Sequence, residues 1–204
     1  MGALLRDPRL VRCGGILLTG GAGRRFGGNK AVAVVQGEAL AVRAGRALQS
    51  AAEVCVEVGP GVSGLPAVPD DREGPLVAVG VGWAALRDCD AALVLACDMP
   101  LVTAGLLRWL VTHPGHGSVV PLGGSPLRAQ PLCARWSAGA LGSIGALVTA
   151  GERAMRALLA TEDVLLVDPS DWSPAAGPLA LEALADADTS EELARLARLL
   201  SDQP

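Results

Sequence analysis

Tyrosine is missing from these 204 residues, and phenylalanine, asparagine and lysine occur once each, at Phe26, Asn29 and Lys30. With four tryptophans the aromatics reach only five, and they do not cluster, so no stacking platform is legible. Long apolar runs are absent too: Gly, Pro and Arg interrupt them before the roughly 18 residues that a membrane span needs. The opening stretch, MGALLRDPRLVRCGG, carries an acid and a proline where an export signal needs an unbroken apolar core, which points to the cytoplasm. Cys13, Cys55, Cys89, Cys97 and Cys133 form no CxxC pair and read as small buried hydrophobes. His113 and His116, in THPGHG, lack the neighbouring ligands that a zinc site wants. A net charge of −4 gives no general attraction to nucleic acid.

What is present suits a buried core: half the residues are apolar and 19% are charged. The length fits one domain, read as residues 1–204, with no repeat or linker. Short apolar runs predict strands at 14–20, 53–59, 91–97, 117–122, 127–134 and 164–168. Between them lie helix candidates at 38–51, 74–88, 103–112, 137–149, 152–161 and 190–200, while 169–188 is the least regular part, a flap or an extra helical turn. The alternation predicts an α/β sandwich around a parallel or mixed sheet.

Charge is unevenly spread. No carboxylate lies between Asp7 and Glu38, whereas Arg9, Arg12, Arg24, Arg25 and Lys30 do. A basic, glycine-rich loop after a buried strand is built to meet a small anion, phosphate above all. Read as a dinucleotide loop, GAGRRFG (21–27) gives GxGxxxG, but the loop is too long and too basic, and no acid ends the second strand, Glu53 and Glu57 preceding VGPG instead. Read as GxxxxGK[ST], it has Asn29 inserted before Lys30 and Ala31 in place of the hydroxyl.

LLTGGAGRRFGGNKA (17–31) resembles the signature loop LAGGxxxRMGxxK of nucleotidyltransferases related to the molybdenum cofactor guanylyltransferase family. Gly20, Gly21, Arg25, Gly27 and Lys30 fall on its fixed positions. Phe26 stands where Met is usual, and Asn29 where Asp is common. The resemblance implies a three-layer α/β/α sandwich with a Rossmann-like, mostly parallel sheet of the nucleotide-diphospho-sugar transferase type. It places Leu18, Thr19, Gly20, Gly21 and Gly23 around a nucleotide, with backbone N–H groups of Gly20 to Gly23 cradling phosphates. Arg25 would grip phosphate in bidentate fashion and Lys30 would act as a point charge.

Other segments extend the likeness. AALVLACDMP (91–100) resembles the family's metal-binding turn, so Asp98 would hold Mg²⁺. In PDDREGPLVAVGVGWAAL (69–86), Asp70 or Asp71 would approach the base or ribose, and Gly74 and Pro75 would start a helix. DADTSEEL (186–193) resembles NxNTPxDL, with Asp186 and Asp188 in place of asparagines; Asp188 would be the second Mg²⁺ ligand, and Thr189 or Ser190 a helix cap. Arg128 and Arg135, in RAQPLCARW, would meet an acceptor phosphate.

The activity so implied is Mg²⁺-dependent transfer of GMP from GTP to the terminal phosphate of molybdopterin cofactor, with release of pyrophosphate and catalysis by Arg25, Lys30 and Asp98. Transfer of CMP to the same cofactor, another small phosphorylated acceptor, and a non-catalytic carrier of finished cofactor stay open at this point. A transient contact with a molybdoenzyme or its chaperone would follow from the product.

Overall fold

A computed structural model describes residues 11–20, 26, 28–161 and 163–202. Its frame is a sheet in which β1 (Cys13–Leu18) lies between β4 (Cys55–Val58) and β6 (Ala91–Ala96), parallel to both. Every residue of these three strands is buried, as expected where helices cover both faces of the sheet, and Glu57 in β4 is the one charged residue among them. β5 (Ala67–Val68) extends the sheet beyond β4. On the other side, β9 (Cys133–Ser137) runs antiparallel between β6 and β7 (Ser118–Gly123), and β10 (Val164–Val167) closes the edge parallel to β7. β8 (Arg128–Ala129) pairs with β7, and a small hairpin, β2 (Val34–Val35) with β3 (Glu38–Ala39), stands apart.

Successive strand residues face opposite layers. Leu17, Leu93 and Leu95 pack against α1 (Leu40–Gln49), α3 (Ala104–Thr112) and α6 (Pro169–Ala176) through Leu48, Leu107 and Trp172. Ile16, Leu18 and Val94 pack against α2 (Pro75–Ala85), α4 (Ala138–Gly142) and α5 (Ile144–Thr149) through Val79, Leu141 and Ile144. The result is the expected three-layer α/β/α sandwich with a mostly parallel sheet. A third cluster, with Val35, Leu40, Leu101, Leu193 and Leu196, seats α7 (Ser190–Ser201) against the hairpin.

Three sequence expectations need correction. The strand expected over 127–134 is two strands, because Pro131 has no N–H for a ladder and its carbonyl takes the indole N–H of Trp136 at 3.0 Å. The helix expected over 137–149 breaks at Ser143, where Gly139, Gly142 and Gly145 weaken the helix and the serine hydroxyl donates back to the Ala140 carbonyl at 2.7 Å. The helix expected over 152–161 is a 3-10 turn, Met155–Ala160, since the Arg153 carbonyl is committed to the Leu76 N–H of α2. Within 169–188 the helical alternative holds: α6 starts from a capping box between Asp168 and Asp171 and is anchored by buried Trp172.

Candidate functional site

In a sheet of this order the chain leaves β1 toward β4 on one side and reaches β6 on the other, so a crevice opens at the carboxyl ends of β1 and β6. A cavity of about 560 Å³ occupies it. Leu18, Thr19 and Gly20 enter from the end of β1, Asp98 from the end of β6, Asp70 from the segment after β5, and Lys30 and Asp188 from above.

Lys30 is the centre of this arrangement. Its Nζ lies 2.8 Å from Asp98 Oδ2 and 2.8 Å from Asp188 Oδ1. The lysine opens a 3-10 turn, Lys30–Val32, which Asn29 caps by accepting the Ala31 N–H at 3.1 Å. The asparagine at this position therefore orients the lysine-bearing turn. Burial pushes the Lys30 ammonium down, but the Asp98 and Asp188 carboxylates outweigh it and hold the group above its ordinary value. Asp188 is brought in by the Ala187 N–H, which donates to the Asp98 carbonyl at 2.9 Å, and by α7, whose cap Thr189 forms a reciprocal box with Glu192. Burial and then the Asp188 charge raise the carboxyl of nearby Asp186. Asp98, Asp186 and Asp188, drawn from two separate segments around the single Lys30, thus leave a surplus of negative charge that favours a further cation.

Of the residues expected at the nucleotide, Leu18, Thr19, Gly20, Lys30, Asp70 and Asp98 line the cavity, as does Asp188, expected at the metal. Asp71 does not: it is exposed, while Asp70 turns inward and accepts the Arg72 N–H at 2.9 Å. Gly21, Gly23, Arg25 and Gly27 lie outside the described residues. Gly20 needs correcting in one respect: its N–H is not free for phosphate, because Thr19 and Gly20 both donate to the Val58 carbonyl, at 3.1 and 3.3 Å. What Gly20 provides is room, since a Cβ there would lie 1.7 Å from Asp70 Oδ2.

Arg135 is also corrected. It is fully buried and donates to the carbonyls of Val111, His113, Gly115 and Gly117 at 2.8 to 3.0 Å, fastening the connection between α3 and β7. It is a structural clamp, whereas Arg128 is exposed. Glu57, passed over in the sequence, is fully buried in β4 and accepts from Thr19 Oγ1, from the N–H groups of Gly61, Val62 and Ser63, and from Ser63 Oγ. Burial alone would raise its carboxyl, but these donors hold it below the usual value. The signal available was a lone acid inside the apolar run VCVEV.

A family model, the MobA-like NTP transferase domain, matches residues 15–169. A molybdenum cofactor guanylyltransferase of Cereibacter sphaeroides is 31% identical over 153 residues, 70% of this chain and 78% of that protein. A protein of Mycobacterium bovis, named as a probable molybdenum cofactor guanylyltransferase, is 31% identical over 182 residues, 82% of this chain and 89% of its own length. Among solved structures, molybdopterin-guanine dinucleotide biosynthesis protein A from Archaeoglobus fulgidus superposes with a TM-score of 0.76 at 20% identity, over 93% of this chain and 100% of that one. Sequence, fold and the grouping of Lys30 with Asp98 agree, and the chain belongs to the MobA-like NTP transferase family of nucleotidyltransferases.

Proposed function

We propose that the protein transfers GMP from GTP to the terminal phosphate of molybdopterin cofactor. The observation that carries this reading is the convergence of Lys30, Asp98 and Asp188 in a cavity large enough for a nucleotide. An oxygen of the acceptor phosphate attacks the α-phosphorus of GTP, the bond to the β-phosphate oxygen breaks, and pyrophosphate leaves with that electron pair. Negative charge spreads on both sides of the phosphorus, and the Lys30 ammonium is placed to compensate it. Arg25, from the same loop, is assigned to phosphate by the family motif.

Asp98 and Asp188 are the residues that would hold Mg²⁺. Two hard carboxylates meeting at one point suit an ion that takes one or two protein carboxylates and completes its shell with water and phosphate oxygens. When bound, Mg²⁺ supplies neutralisation of the triphosphate and fixes its orientation. Lys30 now bridges these carboxylates, so on binding its ammonium moves from them to the phosphates. Fixed positioning of donor and acceptor, without a covalent intermediate, then accounts for the rate. The guanine assignment and the cofactor acceptor come from the named relatives.

Thermal melting with Mg²⁺ and each of GTP, CTP, ATP and UTP tests the donor. GTP at about 100 times its dissociation constant stabilises by roughly 2.7 kcal/mol, a shift of several degrees. A shift with CTP in place of GTP would replace the assigned base, and no shift with any nucleotide would refute the reading.

A further inference from the structure

A second recess of about 430 Å³ adjoins the main cavity and shares Thr19, Gly20, Asn29, Asp70 and Arg72 with it. Its other walls include Gly59, Pro60 and Pro69, and Lys30, Asp98 and Asp188 take no part in it. The recess opens beside Gly28 and Asn29, next to Lys30, and so offers room for the nucleoside of a nucleotide whose phosphates sit at Lys30. Two pieces of chain meet at its floor: the end of β1 at Thr19 and Gly20, and the turn that follows β4. They meet so closely that a Cβ on Gly59, at φ +150°, would lie 2.2 Å from Thr19 Oγ1 and 2.9 Å from Gly20 N. Glu57 joins the two. One carboxylate oxygen takes the Thr19 hydroxyl at 2.5 Å and the N–H groups of Gly61 and Val62 at 2.8 and 3.0 Å; the other takes Ser63 N and Oγ at 2.8 and 2.5 Å.

We propose that Glu57 is a positioning residue for the nucleoside half of the substrate, fixing the recess through the Thr19 hydroxyl and the 61–63 turn. The inference rests on the nucleotidyltransferase reading of the same site. An anion is required because all five partners are donors. A glutamine would turn its NH₂ toward donors on one side or the other and leave at least one of the Gly61, Val62 and Ser63 N–H groups without its acceptor.

Calorimetric binding of GTP and of inorganic tripolyphosphate, each with Mg²⁺, tests this on wild-type protein and Glu57→Gln. The expected result is GTP affinity weakened by roughly tenfold, the loss of a hydrogen bond to a charged group, with tripolyphosphate affinity unchanged within about twofold because its site is at Lys30. Equal weakening of both ligands would show that Glu57 only supports the fold and would overturn the proposal, as would unchanged GTP affinity. Should Glu57→Gln not fold, Thr19→Val removes the one donor facing the recess and leaves the other four; it is expected to show the same selective loss, with Thr19→Ser close to wild type. Unchanged GTP affinity in Thr19→Val would then overturn the proposal. Failure of the underlying reading is visible separately, as wild-type protein that binds no nucleotide, and it would overturn this inference as well.

Discussion

Three side chains carry charges whose placement makes specific demands. Lys30 is the counter-ion of Asp98 and Asp188. Lys30→Met is expected to lower transfer at least about a hundredfold, a loss of the size seen when one stabilising charge is removed from a developing anion. It should also lower the melting point of the metal-free protein, since two carboxylates are left facing each other, and millimolar Mg²⁺ should restore much of that loss; melting curves with and without Mg²⁺ read both effects. Because the folded protein holds Lys30 above its ordinary 10.5, the stability it contributes is complete below that pH and is lost as pH rises through the higher folded value. Glu57 has the opposite sign: its carboxyl is held below 4.5, so its contribution is complete above that pH and is lost as pH falls through the lower folded value. A pH series of melting points should therefore show an acid limb that is flatter in Glu57→Gln. Arg135, fully buried, supplies four carbonyls; Arg135→Met should cost about 3 kcal/mol or more in denaturant unfolding, because those acceptors lose their donors.

The elements divide the work between framework and site. β1 and β6 place Thr19 and Asp98 side by side, and α7 holds Asp188 above them through its cap. Thr189→Ala should lower stability by about 1 kcal/mol, measured by urea unfolding, and loosen Asp188. The strands that flank the crevice were legible in the sequence because parallel strands covered on both faces are written as unbroken apolar runs. Lys30, Asp98 and Asp188 were legible for another reason: each sits in a short motif whose spacing survives in sequence. Glu57 and Arg135 were not. Glu57 reaches Thr19 from 38 residues away and Arg135 reaches carbonyls 18 to 24 residues upstream, and nothing local marks such partners. The short turn at Met155–Ala160 was missed because a tertiary contact, that of the Arg153 carbonyl with α2, overrode local propensity. The break at Ser143, by contrast, was written locally, in three glycines and a serine that bonds back to Ala140, beneath an apolar pattern that runs on through it.

At the scale of the molecule the sheet order creates a crevice at the carboxyl ends of β1 and β6, and the chain places its single lysine there. Among the described residues no helix is long and apolar enough to cross a membrane. Membership of the MobA-like NTP transferase family, together with the paired carboxylates at Lys30, makes transfer of a nucleotidyl group the activity to measure. The direct measurement follows label from α-phosphate-labelled GTP into molybdopterin cofactor in the presence of Mg²⁺, with wild-type protein and Asp98→Ala side by side. Wild-type protein is expected to move the label into the cofactor with one pyrophosphate released per transfer, and folded Asp98→Ala to fall at least about a hundredfold below it. A wild-type protein that leaves the cofactor unlabelled, or an Asp98→Ala variant that labels it at the wild-type rate, would contradict the assignment of this site.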